Sequence, residues 1–300
     1  MGTCIVCGVD GSGGGWRAAW VAASLARTLR LPAVLVHVRE DLGVSPVSGS
    51  RGLCRAWRTR KRVQAIARER WFPAGVEFRR RAGDAARELL LVAEQEGAEL
   101  VVVASGGLGR GRAVLVGGVT SALMHRAPCP VVVVPRDGPP PADAELTRSV
   151  VCPIESREAD VRVLRFASDL ASRLEAPLHA VHGYEHNGAP PTGALRTAEG
   201  AIEPSHMTAE RTLALALAAA SVDARPHVLE RQTAEALLRV ADRERGMIVV
   251  GPPSARDARS LTGGRVALPV VADALSPVVV LPPRAALDPV SRTSSKGMGP

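Results

Sequence analysis

The stretch VVVASGGLGRGRAVLVGGVTSALMHRAPCPVVVVP (101–135) predicts an apolar strand, a glycine-rich loop, a helix and a second apolar strand. The same pattern returns as IVVGPPSARDARSLTGGRVALPVVADALSPVVVLP (248–282), at an offset of 147 residues. Nearer the start of each half, Asp10 aligns with Glu155 and His37 with His182, at an offset of 145. Self-similarity over this length indicates two copies of one fold within the chain.

Each copy alternates strands with helices. Runs such as VVVV are continuously apolar, which is typical of parallel strands buried on both faces. In the first half we predict strands near Cys4–Val9, Ala33–Val38, Val76–Arg80, Leu100–Val103 and Val131–Val134. Apolar residues at helical spacing predict helices over 16–31, 85–98 and 118–126, and over 163–176, 206–220 and 233–246 in the second half. The sequence therefore predicts an α/β fold of two Rossmann-like, open, mainly parallel five-stranded sheets flanked by helices and related as an internal repeat, with ligands expected at the carboxyl ends of the strands.

The proline-rich segment RDGPPPADAELTRS (136–149) separates the copies, because proline cannot continue a helix or an inner strand. We expect a first domain at 1–137, a linker at 138–148, a second domain at 149–283, and a disordered tail at 284–300. The final strand of each half, VVVVP (131–135) and VVVLP (278–282), would otherwise be an exposed apolar edge. We therefore predict that these two strands face each other in an internal pseudo-dimer; a further homodimer stays open.

Composition narrows the class of protein. No apolar run reaches the roughly 18 residues that span a bilayer, so membrane insertion is not expected. Met1 leads directly into an apolar strand without a signal sequence, and five cysteines suit a reducing compartment, so we expect a cytoplasmic protein. Cys4 and Cys7 imitate a metal or redox pair, but residues three apart on a strand point to opposite faces.

Most of the formal net charge of +8 comes from arginine, since the only lysines are Lys61 and Lys296. Basic residues cluster with Trp57 and Trp71 in RGLCRAWRTRKRVQAIARERW (51–71). Such a cluster can bind nucleic acid or an acidic surface, or it can form a solvated helix and loop over the sheet edge. We favour the solvated face, and nucleic acid is not the expected partner.

The loop from Ala104 to Thr120 is the candidate phosphate site. Its glycines would allow backbone N–H groups to converge on an anion beside a helix N-terminus, although a flexible surface loop has the same composition. Neither lysine completes a Walker A motif. GSGGGW (11–16) is only a weak match to a dinucleotide-binding turn, because Trp16 replaces the third glycine.

VDGS (9–12), LVHV (35–38), the late glycine loop and HRAPCPVVVVP (125–135) together resemble the universal stress protein family, here as a tandem pair over 3–135 and 149–283. ATP-binding members carry Gly-x2-Gly-x9-Gly-Ser/Thr after the fourth strand. Ala104, Gly107, Gly117 and Gly118 occupy these four positions in the first half. The resemblance implies that Asp10 accepts hydrogen bonds from a ribose and that Val38 lies near adenine.

The nucleotide contacts implied for the first half are Gly8, Val9, Asp10, Val38, Val103, Ala104, Gly107, Gly117, Gly118, Val119 and Thr120. The implied cofactor is ATP with Mg. Gly118 lacks the phosphate-facing hydroxyl, for which Thr120 could substitute.

The second half departs further from the family pattern. Gly251 and Gly264 are kept, but Ser254 and Arg265 replace the second glycine and the hydroxyl. Pro252 and Pro253 remove backbone donors, Glu155 replaces the aspartate, and Pro269 should kink or shorten the final helix. We therefore expect nucleotide binding in the first half if in either.

No HExxH, GxSxG or metal-spaced cluster supports catalysis, and the repeated His37 and His182 are expected to be hydrogen-bonded core residues. The function expected from the resemblance is an adenine-nucleotide-responsive stress or regulatory protein, with slow ATP hydrolysis left open. The alternative is a nucleotide-independent interaction scaffold of the same fold. An adenylate-transferring enzyme on a related fold is a third and less favoured hypothesis, because no catalytic motif accompanies the loop.

Overall fold

The computed structural model describes residues 4–39, 76–106, 117–135, 148–155, 160–184, 205–252, 266–283 and 285. Within these residues the strands are β1 Ile5–Gly8, β2 Ala33–Arg39, β3 Glu77–Ala82, β4 Leu100–Ala104, β5 Val131–Val134, β6 Val150–Pro153, β7 Leu178–Tyr184, β8 Arg225–Glu230, β9 Met247–Val250 and β10 Val278–Val280. The helices of the described residues are α1 Gly13–Leu29, α2 Ala85–Gln95, α3 Gly118–Arg126, α4 Asp160–Arg173, α5 Ser205–Ala220, α6 Thr233–Glu244 and α7 Ala267–Asp273.

All ten strands form one sheet in the order β3-β2-β1-β4-β5-β10-β9-β6-β7-β8. Neighbouring strands within each half are parallel, as the continuous apolar runs predict. The halves meet where β5 pairs with β10 in antiparallel register, with Val132 opposite Val279. The pairing predicted for the two final strands is confirmed, and it makes the two five-stranded arrays one continuous sheet.

Helices cover both faces of the sheet. Along β1, Ile5 and Cys7 join the core under α1 and α4, whereas Val6 joins the opposite core under α2 and α3. Cys4 also lies on the second face, so Cys4 and Cys7 point apart, as the strand period predicts. Burial raises the pKa of the Cys4 thiol to about 11 and that of Cys7 further, which keeps both thiols protonated at neutral pH.

The helix predicted at 118–126 has the same bounds in the structure. Helix α1 begins three residues before the predicted residue 16, because the Ser12 hydroxyl accepts a hydrogen bond from the Gly15 N–H and caps the helix there. Helix α7 ends at the residue equivalent to the end of α3 but begins two residues later. Pro269 thereby lies in the first turn, where its missing N–H costs nothing, so the predicted shortening is confirmed.

Several predicted features lie outside the described residues: the basic segment 51–71, the linker from 138 to 147, and the tail except residue 285.

Candidate functional site

The strand order reverses between β1 and β4. From β1 the chain crosses to β2 on one side, and from β4 it crosses to β5 on the other. The two connections diverge, which leaves a crevice at the carboxyl ends of β1 and β4 where open α/β sheets bind ligands. Asp10 follows β1 by two residues, and Ala104 ends β4, so the structure brings the two halves of the sequence-predicted site to this crevice.

The turn after β1 holds Asp10 in a fixed orientation. The Ser12 N–H and the Ser12 hydroxyl both donate to Oδ1 of Asp10, at 2.9 and 2.6 Å. The same hydroxyl oxygen accepts the N–H of Gly15 at 3.0 Å, which connects the carboxylate to the first turn of α1. No hydrogen bond from the described residues reaches Oδ2 of Asp10, and the residue is exposed. One carboxylate oxygen therefore supports the turn, and the other faces outward as an acceptor.

Gly15 is a site residue that the sequence interpretation missed. A Cβ at Gly15 would overlap Oδ1 of Asp10 and would lie 3.1 Å from the Asp10 N atom. Only glycine allows α1 to begin this close to the carboxylate. The signal was present in GSGGGW, whose glycines permit close backbone approach, although the motif is not that of a dinucleotide site.

Gly8, Val38 and Val103 lie on the α2 and α3 side of the strand ends, whereas Val9 packs on the α1 side. Val9 and Val103 are buried, while Val38 is half-buried at the end of β2. A Cβ on Gly8 would lie 3.0 Å from Leu89 and 3.2 Å from Val103, so the strand packs closely against α2 at this point.

His37 connects β2 to the residue that follows β1. Its Nδ1 donates to the Val9 carbonyl oxygen at 2.9 Å, and His182 makes the same bond to Ile154 at 2.7 Å in the second half. Both histidines are hydrogen-bonded structural residues, as predicted.

On the β4 side, Gly106 and Gly117 lie close together. A Cβ at Gly117 would overlap the carbonyl oxygen of Gly106, so the chain leaves and returns at nearly the same place. Gly107 and the rest of the loop through residue 116 lie outside the described residues. Gly118 is the first residue of α3, and a Cβ there would meet no atom of the described residues within 4 Å. Gly118, Val119 and Thr120 thus form a helix N-terminus whose backbone N–H groups have no intrahelical acceptor.

Thr120 is 2% exposed, and its hydroxyl donates to the Ala104 carbonyl oxygen at 3.1 Å. This hydrogen bond uses the only proton of the hydroxyl to attach α3 to the end of β4. The geometry therefore favours a structural role for the Thr120 hydroxyl over the substitute phosphate contact suggested by the sequence.

The equivalent crevice of the second half is filled by its own backbone. Gly183 occupies the position of Val38, and a Cβ there would lie 2.5 Å from the Arg231 carbonyl oxygen and 2.7 Å from the N atom of Thr233. The turn between β8 and α6 therefore packs directly on the end of β7. Glu155 is exposed after β6, and Gly251 follows β9, while Pro253, Ser254, Gly264 and Arg265 lie outside the described residues.

Metal sites and membrane-spanning helices are both missing from the described residues. No group of three or more His, Cys, Asp or Glu side chains there could hold a metal ion. No helix among these residues has the length and apolar character needed to cross a membrane.

Comparison with known proteins connects this geometry to a family. The model of the universal stress protein family matches residues 3–135 and, separately, 147–282. A universal stress protein from Archaeoglobus fulgidus superposes with a TM-score of 0.61 at 15% identity, covering 94% of this chain and 98% of that chain. A putative universal stress protein from Pseudomonas aeruginosa gives 0.58 at 16% identity, covering 94% and 93%. At these identities the matches show the shared fold.

A third solved structure matches one half only. It is a universal stress protein from Archaeoglobus fulgidus in complex with dAMP, with a TM-score of 0.33 and 23% identity, covering 45% of this chain and 97% of that chain.

Proposed function

We propose, from the premise that the chain belongs to the universal stress protein family, that its first half binds ATP weakly and that the protein is an adenine-nucleotide-responsive regulatory protein. The observation that carries the proposal is the paired arrangement of Asp10 and the α3 N-terminus at the carboxyl ends of β1 and β4. An acceptor for ribose hydroxyls and a set of N–H donors for phosphate flank one crevice.

Asp10 suits the ribose because its outward Oδ2 can accept hydrogen bonds while Oδ1 remains bonded to Ser12. Charge-assisted hydrogen bonds of this kind are stronger than neutral ones. The adenine ring would lie beside the half-buried Val38.

The phosphate groups would bind at Gly118 and Val119. The helix N-terminus offers unsatisfied donors and a partial positive charge, and the described residues leave space for an anion at Gly118. Because Gly118 brings no hydroxyl, we expect weaker binding than a serine would give. Magnesium would be held through the nucleotide phosphates, since the described side chains offer no metal-binding group.

Asymmetry between the halves supports one nucleotide per chain. Where Val38 would border adenine in the first half, the second half has Gly183 pressed against the 231–233 turn. Opening that space would require moving backbone that packs against the end of β7.

The rival function is a nucleotide-independent interaction scaffold of the same fold. Under either hypothesis we propose that the protein is located in the cytoplasm. Calorimetric titration of the full-length protein with Mg-ATP separates the two. The proposal expects one site per chain, with heat lost in Asp10→Asn and retained in Glu155→Gln. The scaffold replaces it if neither the wild-type protein nor Gly118→Ser binds ATP, ADP or AMP. ATP turnover measured in the same samples decides whether slow hydrolysis accompanies binding.

A further inference from the structure

A pair of histidines lies under the last turn of α6, away from the nucleotide crevice. His179 of β7 and His227 of β8 are stacked with ring centroids 5.1 Å apart and an interplanar angle of 15°. Nδ1 of His179 lies 2.8 Å from Nε2 of His227, so the two rings share a hydrogen bond. His179 is 1% exposed. Neither ring takes part in the proposed nucleotide site.

Arg243 of α6 determines where the protons lie. Its Nη2 is 3.4 Å from Nδ1 of His227, and a guanidinium group can only donate, so that nitrogen accepts. A neutral His227 then carries its proton on Nε2 and donates to Nδ1 of His179. The His179 proton is consequently on Nε2, a buried atom that has no hydrogen-bond partner among the described residues. This arrangement requires both rings to be neutral.

The charged groups around the pair act in both directions: two arginines oppose protonation and one carboxylate favours it. Arg225 on β8 and Arg243 on α6 flank it, and Glu244 is the opposing carboxylate. Glu244 already accepts a hydrogen bond from Nε of Arg243 at 2.8 Å, which lowers the pKa of that carboxyl group. Burial lowers the pKa of both histidines, and the neighbouring His179 and Arg243 lower that of His227 further.

The first half has a different arrangement at the same place. The repeat aligns His179 of β7 with Val34 of β2. His227 aligns with Arg79, because His227 pairs with Val181 in β7 and Arg79 pairs with the equivalent residue of β2, Val36. Arg79 forms ion pairs with Glu77 on its own strand and with Glu96 at the end of α2. A permanent charge with two carboxylates therefore attaches β3 to its helix, whereas two titratable rings lie at the corresponding contact between β8 and α6.

We propose that the His179–His227 pair makes the attachment of β8 and the end of α6 acid-sensitive, while β3 and α2 keep their attachment over the same pH range. While β8 is attached to the end of α6, which we call the closed state, the two imidazole rings bind protons less readily than they do after this attachment opens. Their contribution is therefore fully present above the ordinary histidine pKa of about 6.5 and declines as pH falls below it, until the closed-state pKa is reached. The second half becomes the part of the sheet that opens first in mild acid.

Hydrogen exchange of the full-length protein at pH 7.5 and 5.5 tests the proposal, with each rate divided by the intrinsic rate at the same pH. We expect protection of peptides covering 225–230 to fall about threefold or more at the lower pH. Peptides covering 77–82 should keep their protection. Equal changes at both strands, or no change at β8, would overturn the proposal.

Variants separate the histidine pair from other causes. The triple variant His179→Val, His227→Arg and Arg243→Gln gives the second half the residue types found at the equivalent first-half positions, which are Val34, Arg79 and Gln95. The new arginine at 227 would then lie near Glu244, as Arg79 lies near Glu96. The triple variant should lose the extra acid sensitivity of β8. His227→Gln, which cannot be protonated, should reduce it and provides a second test if the triple variant does not fold. The matched control is His206→Gln on α5, whose ring is exposed beside Glu210 and should leave the effect unchanged. Persistence of the full effect in His227→Gln would exclude the pair as its source.

Discussion

Asp10 has a structural role through Oδ1, and we propose that its second oxygen, Oδ2, serves nucleotide binding. Oδ1 organises the turn with Ser12, and Ser12 in turn caps α1 through Gly15. The turn holds the carboxylate in place before a ligand arrives, so less conformational freedom is lost on binding. Replacement by alanine would remove both tasks at once, whereas replacement by asparagine changes mainly the outward acceptor.

We predict that Asp10→Asn lowers ATP affinity at least about tenfold, because a hydrogen bond to a charged acceptor contributes roughly 1.5–3 kcal/mol. The asparagine oxygen can still accept from Ser12, so the unfolding midpoint should change little. Calorimetry measures the affinity and circular dichroism the midpoint. Glu155→Gln is the matched control in the second half, and a larger loss there than in Asp10→Asn would contradict the assignment.

Gly118→Ser should tighten ATP binding by about tenfold if the new hydroxyl adds a hydrogen bond worth on the order of 1.4 kcal/mol. We expect the position to tolerate the side chain, because a Cβ there meets no atom of the described residues within 4 Å and the residue is the first of α3. Gly118→Ala adds the Cβ without the hydroxyl and serves as the control. Equal affinities for the serine and alanine variants would show that no phosphate approaches this residue.

At the level of elements, the repeat was enough to predict the order of the described strands and helices and the pairing of the two final strands. Continuous valine runs such as Val131–Val134 are typical of buried strands, because valine is β-branched and the run is short. The boundary of α1 was missed because it depends on the hydrogen bond from Gly15 to Ser12. The positions of Gly183 and Thr120 could not be read either, since each depends on a backbone contact with a residue distant in sequence, Arg231 or Ala104.

The close contact of Gly183 with the 231–233 turn can be tested by substitution. Gly183→Ala should lower the free energy of unfolding by about 1–3 kcal/mol, because the new methyl group would be forced against the 231–233 turn. Urea denaturation followed by circular dichroism measures the effect. Gly13→Ala is the control, since a Cβ at Gly13 meets no atom of the described residues within 4 Å. Comparable loss in both variants would mean that the turn does not constrain Gly183.

In the whole molecule, the contact between β5 and β10 holds the two halves in one sheet. Its strands are entirely valine and entirely buried, so separating the halves would expose two apolar edges. Two cores, one on each face of the sheet, run through both halves. We therefore propose 1–137 and 149–283 as related folding units that each need a partner at this edge.

A fragment of residues 1–138 should accordingly self-associate through β5, since a second copy could supply the antiparallel partner that β10 provides in the full chain. Sedimentation velocity measures the assembly, with circular dichroism to confirm that the fragment is folded. The full-length protein at the same concentration is the control for association through other surfaces. A folded fragment that sediments only as a monomer would contradict the prediction.

The antiparallel seam also has a genetic consequence. In an assembly of two identical subunits, every codon is expressed twice, so a change that closes one crevice closes its twin. Here the two partners across β5 and β10 are separate stretches of one reading frame. Residue 183 can therefore become glycine while its equivalent in the first half, Val38, is unaltered. In the same way, residues 179 and 227 can become histidine while Val34 and Arg79 are unaltered. Fusion into one chain allows a substitution to change one half while the other half stays unchanged.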